Sequence, residues 1–272
     1  MIRPATNAGK TKEGGKMIDD ETKKEVPPTE PAVRDAANWA NLTPSLELGE
    51  VPPEARNINV TGRRQTSPLQ GFGKMWQKSY QVVLSGIEVT PQEVIATWKE
   101  KFQSFWPEGN YFYGPLTAIA PGDVALLNLS MPGKLTLSTG VLVLYADEES
   151  FTFMTPEGHM FAAFITFSAF EDKDGTTNAK VHVLLRANDP IFEVSMAAFG
   201  HRKENKFWSQ TLTALASHFG VQNPAVDIQV ACVDKRRQWR NAGNLRYNSA
   251  LRSAAYLAAA PVRALRRKSP RQ

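Results

Sequence analysis

The sequence predicts an α+β domain over about residues 72–220, in which a curved antiparallel β-sheet wraps around a long C-terminal helix. Three observations predict it. From 123 to 188 the pattern is almost wholly β, in segments separated by short turns, so neighbouring strands pair as antiparallel hairpins. A single strand and a short amphipathic helix precede that run, and a long amphipathic helix follows it. Such a helix buries its apolar stripe only by lying across the concave side of the sheet.

The elements can be taken in chain order. Residues 1–70 combine Gly, Lys, Glu, Pro and Thr with few aromatics, and Pro27-Pro28, Pro31, Pro44 and Pro52-Pro53 break any regular element; they read as a disordered arm. Asn7-Ala8-Gly9-Lys10-Thr11 has the ending of a phosphate-binding loop, but Pro4 stands where the first glycine belongs and no strand precedes it. Order begins near Phe72. Trp76, Tyr80, Val82 and Leu84 alternate with Gln77, Ser79, Gln81 and Val83, the period of a half-buried strand. Thr90-Pro91-Gln92-Glu93 is a capping box with proline at the first helical position, and Val94, Ile95, Trp98, Phe102 and Phe105 form one stripe, giving a helix over 91–105. Strands follow at 124–130, 137–145, 151–155, 159–170 and 179–186. Asp189-Pro190 then caps a helix carrying Ile191, Val194, Phe207, Trp208, Leu212 and Leu215, closed by Gly220, with Gly200 marking a bend or a close approach to the sheet.

Composition limits the function. A chain of 272 residues that is 42% hydrophobic holds one sizeable core with tails. Cys232 is the only cysteine, which excludes an internal disulfide and a thiolate metal cluster. The start Met1-Ile2-Arg3-Pro4 opens no apolar run of the signal-peptide kind, and no stretch reaches the ~18 apolar residues of a membrane span, so a cytoplasmic location is expected. Residues 235–272 carry eleven basic side chains and no acidic one, so taking +11 from the whole-chain +5 leaves the rest at −6. The basic character belongs to the tail.

That tail, taken as residues 221–272, contains an amphipathic helix over about 244–268, interrupted by Pro261. Leu251, Ala255, Ala258, Val262 and Leu265 fall on one side and Arg252, Tyr256, Arg263 and Arg267 on the other. Packing on its own domain or on a second subunit ranks first. An anionic membrane surface, met by Arg252, Arg263, Arg266, Arg267 and Lys268, ranks second and would make the protein peripheral. Nucleic acid ranks last.

The order of elements, with Gly158-His159 opening a long strand through Phe161-Ala162-Ala163-Phe164-Ile165-Thr166-Phe167 and Asp189-Pro190-Ile191-Phe192-Glu193 opening the last helix, resembles the SRPBCC superfamily of START-like, polyketide-cyclase-like and Bet v 1-like proteins. The resemblance covers about 72–220 and rests on topology and pattern. It implies a helix-grip fold whose pocket, between sheet and terminal helix, takes lipids, sterols, polyketides or other apolar molecules, and in some members supports cyclisation or hydrolysis.

Such a pocket needs an apolar lining and a few convergent polar groups. The candidates are Trp98, Phe102, Tyr111 and Tyr113 from the first helix and the segment after it, Asn128 within an apolar strand, His159, and Phe192, Met196, Phe199 and Phe207 from the last helix. For any one of these aromatics, filling the core is the commoner fate. No nucleophile elbow, zinc-protease helix or dinucleotide loop is present, and the histidines at 159, 182, 201 and 218 lack metal-ligand spacing, so neither metal nor cofactor is expected. No catalysis is assigned. The candidates for a cyclase- or hydrolase-type reaction are His159 with Glu157 or Tyr113. Met160, Ala162, Phe164 and Phe170 make the other face of the 159–170 strand apolar too. Its cover could be the tail, the 106–120 segment or a second copy of the chain, and a homodimer follows from the last of these.

Overall fold

The computed structural model describes residues 36–41, 43–52, 54–114, 119–131 and 135–260. Its strands are β1 (Gln65–Thr66), β2 (Met75–Val83), β3 (Tyr111–Tyr113), β4 (Val124–Met131), β5 (Leu135–Ala146), β6 (Ser150–Pro156), β7 (Phe161–Glu171), β8 (Thr177–Ala187) and β9 (Val226–Asp234). All pair antiparallel, in the order β3-β4-β5-β6-β7-β8-β2-β9, with β1 alongside β6. The helices are α1 (Pro91–Glu100), α2 (Pro190–Ser195), α3 (His201–His218) and α4 (Ser249–Ala258). A π-helical turn, Met196–Gly200, joins α2 to α3. This is an α+β helix-grip arrangement, with α1 and the α2–α3 helix packed on one face of the sheet.

Local chemistry accounts for the helix ends. The Thr90 hydroxyl accepts from Glu93 N, and the Glu93 carboxylate accepts from Thr90 N at 2.8 Å. Asp189 accepts from Ile191 N and Phe192 N, satisfying two donors that the start of α2 leaves open. The register Ile165↔Val183 and Phe167↔Val181 turns these side chains to the helices. There Trp98, Phe102, Phe151, Phe153 and Phe167 meet edge to face or stacked, with centroids 4.6–6.1 Å apart.

The arm expected over 1–70 is a correction in its second half. Its first 35 residues, with the loop-like Asn7–Thr11 segment, lie outside the described residues. Leu46 and Val60, however, are buried with Leu126 and Leu142 in a second cluster on the opposite face of β4 and β5, joined by Ala40, Leu48, Val51, Ala55 and Tyr113. Gly140 makes room for this: a Cβ there would lie 2.7 Å from Val60 and 2.4 Å from the Ala125 carbonyl. The sheet's second apolar face is thus covered, over β4–β5, by a segment whose proline content had argued against order. Leu46→Ala should cost about 2–5 kcal/mol in urea unfolding, as for other buried leucines. A loss under about 0.5 kcal/mol, the size of an ordinary surface substitution, would mean the segment is not part of the cooperative unit.

The boundary at Gly220 is also corrected. β9 adds an edge strand to β2, so the sheet continues into what had been read as tail. Beyond it, Gln238 N donates to Phe72 O, Asn241 and Asn244 donate to carbonyls at Gly71, Gln70 and Asn188, and the Asn248 amide reaches Asp189 at 2.8 Å. Ser249 N donates to Gly158 O. The tail therefore packs on the domain as far as α4. α4 buries Ser249 and Ser253 and leaves Leu251, Tyr256 and Leu257 exposed, the reverse of the side its apolar stripe suggested.

Candidate ligand-binding site

Between the sheet and the α2–α3 helix lies a cavity of about 140 Å³. Its floor is Leu127 and Leu129 of β4, Val141 of β5, Phe153 of β6, Ile165 of β7 and Val183 of β8, and its roof is Phe192, Met196, Phe199, Phe207 and Trp208. The floor follows from strand phase, because alternate residues of neighbouring strands face one side of a pleated sheet. The roof follows from one face of the helix, on which Phe192, Met196, Phe199 and Phe207 recur. Within the π-helical turn, a Cβ at position 200 would sit 2.5 Å from the Met196 sulfur. Trp106 closes one end, and the turn holding His159 and Met160 closes another.

That turn is braced from outside. Gly158 adopts φ +82°, and a Cβ there would fall 1.9 Å from the Tyr247 carbonyl, so the tail's approach requires glycine. Through Ser249 on Gly158 and Asn248 on the Asp189 cap, the segment after β9 secures both the His159 turn and the start of the roof helix.

His159 is buried, and its Nδ1 lies 3.0 Å from Phe161 N. Nδ1 also lies 3.1 Å from Phe161 O, so it accepts from the Phe161 N–H when bare and donates to the Phe161 carbonyl when protonated, according to the tautomer. Burial lowers the imidazole from 6.5 to about 4, so it is neutral at pH 7. Glu204 stands on the cavity wall with its carboxylate 2.6 Å from Lys78 Nζ, and Lys78 is fully buried. Lys78 also donates to Asn205 Oδ1 at 3.1 Å, and the Tyr80 hydroxyl donates to the same oxygen. Burial raises the Glu204 carboxyl, opposed by Lys78 and by a hydrogen bond from Trp208.

Because the folded imidazole resists protonation, the unfolded chain binds the proton first as pH falls below 6.5. The stability that neutral His159 contributes is present above 6.5 and is lost as pH falls toward about 4. At pH 5 the loss is about 2 kcal/mol relative to pH 8. His201, lowered to about 4 by burial and by Lys78 and Lys74, acts in the same window. His159→Asn keeps an acceptor for Phe161 N–H and does not titrate, so its unfolding free energy should fall less between pH 8 and pH 5. An unchanged pH slope would contradict the buried neutral imidazole.

Of the residues expected to bind a ligand, His159, Phe192, Met196, Phe199 and Phe207 line the cavity. Five do not. Trp98 and Phe102 are buried in the aromatic cluster. Tyr111 is half exposed and stacks on Tyr113, which packs against the second cluster on the other face. Asn128 alternates with Leu127 and Leu129 and so faces away from the cavity, with its Oδ1 buried and unpartnered among the described residues. The proposed catalytic group does not assemble: Glu157 is held by Arg64 at 2.5 Å, and Tyr113 lies across the sheet. His159 sits in the turn before β7, so its apparent strand phase was a coincidence. Met160, expected on the far face, lines the cavity for the same reason. Arg252 donates to Asn59 Oδ1 at 2.9 Å, while Arg263, Arg266, Arg267 and Lys268 lie outside the described residues. Among the described residues no cluster of His, Cys, Asp and Glu could hold a metal ion. No described helix is long and apolar enough to cross a membrane.

No family model matches the chain, and no curated protein matches it. Several solved structures are similar. The di-domain ARO/CYC StfQ from the steffimycin biosynthetic pathway is 7% identical with a TM-score of 0.42, over 53% of this chain and 50% of that one. Protein Ms6760 from Mycobacterium smegmatis is 10% identical with a TM-score of 0.40, over 54% and 92%. Ara h 8.0201 is 13% identical with a TM-score of 0.36, over 53% and 97%.

Proposed function

We propose that the protein binds an apolar small molecule in the cavity between sheet and helix, with no catalysis assigned to it. The observation that carries this reading is the cavity itself: a space of about 140 Å³ bounded by Leu, Val, Ile, Phe, Met and Trp side chains. Its apolar wall is open to water at one end, and a ligand that fills the space removes that wall from water at about 25 cal/mol per Å². An engineered apolar cavity of ~150 Å³ takes up benzene, which sets the scale: one ring or a short alkyl chain fits, and a sterol does not without the helix moving. The enzyme reading with His159 has less support, because burial lowers the imidazole to about 4 and makes it a weak base, its Nδ1 is engaged by Phe161, and neither Glu157 nor Tyr113 reaches it.

Trp106 and Trp208 lie on the cavity wall, so occupancy should alter tryptophan emission. Titration with a panel of neutral probes of one to two rings or six to ten carbons should give a saturable one-to-one change for at least one of them, and the same molecule should be recovered by native mass spectrometry. A panel that gives no saturable change would overturn the proposal.

A second reading concerns α4, whose exposed Leu251, Tyr256 and Leu257 precede the basic residues 263–271. This is the composition of a helix that lies on an anionic membrane surface. Co-sedimentation with phosphatidylserine vesicles should fall on Leu251→Glu and Leu257→Glu substitution; equal sedimentation would remove the reading.

A further inference from the structure

The cavity is not closed on every side. It continues past Ser130, Met131, Phe199 and Lys203 into an open mouth lined also by Arg202 and Lys206. All three basic residues come from one turn of α3, and Lys203 borders both spaces. Its ammonium spans the opening, donating to the Ser130 carbonyl at the end of β4. That bond uses one of three N–H donors, and the others remain for a ligand. Lys203 is partly desolvated, which lowers its pKa and strengthens any charge interaction it makes.

The acid on this wall does not offset the three cations. Among the described residues lining the cavity and its mouth the one carboxylate is Glu204, and it is already neutralised by Lys78 at 2.6 Å. Trp106, at the same end as Asn110 and Ser130, has its indole N–H buried with no acceptor among the described residues. An apolar chamber thus opens onto a rim that offers positive charge and donors and, among the described residues, carries no unpaired carboxylate. A neutral hydrocarbon would leave these unused.

Resting on the binding function proposed above, we infer that the ligand is an amphiphilic monoanion, a medium-chain fatty acid or an arene carboxylate, whose apolar part fills the cavity and whose anionic head lies among Arg202, Lys203 and Lys206. The head stays at the mouth, where water still reaches it, so the full cost of burying a carboxylate does not arise. The tail reaches the floor at Ile165 and Val183.

The test compares octanoate with octan-1-ol, which share a tail and differ in charge, on the full chain by isothermal titration calorimetry. Octanoate should bind about tenfold tighter at low salt, since three partly exposed charge contacts each contribute modestly. The ratio of the two dissociation constants should fall toward one in R202Q/K203Q/K206Q. It should also fall in the unaltered protein at about 1 M KCl, where charges are screened within ~3 Å, and this arm holds even if the triple variant folds poorly. Equal affinity for both ligands in the unaltered protein would overturn this inference and leave the binding function standing. A preference that survives both neutralisation and salt would place the anion elsewhere and also overturn it. If neither ligand binds, this inference is overturned, and the neutral panel decides whether the binding function falls with it.

Discussion

Lys78→Met is expected to destabilise the fold by about 3–5 kcal/mol, because it removes the cation paired with a carboxylate buried on the cavity wall. Lys78 is fully buried on β2, and its ammonium meets Glu204 at 2.6 Å and Asn205 at 3.1 Å. Without it, Glu204 must be protonated to stay buried, and the upward push that burial already exerts on its carboxyl is no longer opposed. The sign of the pH dependence follows. A carboxyl raised in the folded state favours folding at low pH, and that contribution is lost as pH rises through the folded value. The deficit of Lys78→Met relative to the unaltered protein should therefore shrink toward pH 4 in guanidinium unfolding. Replacing both members, as K78M/E204M, should recover most of the loss, because an apolar pair of similar volume needs no compensation. A double variant as unstable as the single one would contradict the pairing.

Ile165→Trp is expected to weaken ligand binding at least 100-fold, about 2.7 kcal/mol, while costing about 1–3 kcal/mol of stability from overpacking. Ile165 lies at the middle of the cavity floor, opposite Val183 in the register of β7 and β8. The added indole would occupy space on the order of the cavity itself. Fluorescence or calorimetric titration measures the first effect and urea unfolding the second. Undiminished affinity in a folded variant would place the ligand elsewhere.

The fold was legible where local and periodic signals agree. The Thr90–Glu93 box and the Asp189-Pro190 cap fix helix starts within one turn, and both are present. The hairpin run from β4 to β8 follows from short strand-like segments separated by short turns. The segment at 36–66 was not legible, because its core contribution rests on isolated residues such as Leu46 and Val60 set among prolines, with no periodic neighbours. β9 did carry a signal, Ile228 and Val230 alternating with Asp227 and Gln229, but the boundary was set before it, at the glycine that closes the last helix.

The pocket was legible in its roof and only partly in its floor. Phe192, Met196, Phe199 and Phe207 share a helical face, so their convergence follows from period alone. The floor is assembled from five strands, and which members of each strand meet a gap rather than a neighbour depends on helix placement. Lys78 illustrates the limit: its partner is 126 positions away, and a lone lysine in a strand pattern looks like a solvated one. Tyr113 and Asn128 were misplaced for a simpler reason. A tyrosine or asparagine in an apolar strand suits either face of a sheet covered on both sides, and the cover over the second face came from the segment read as disordered.

Methionine methyl signals test the central claim most directly, because Met131, Met160 and Met196 line the cavity from three different elements, whereas Met154 alternates with Phe153 and points from the other face of β6. In protein labelled with carbon-13 at the methionine methyls, titration with octanoate or octan-1-ol should shift Met131, Met160 and Met196 along one common saturation curve and leave Met154 in place. Shifts confined to Met154, or no saturable shift at the three cavity methyls with either ligand, would contradict a ligand held between sheet and helix.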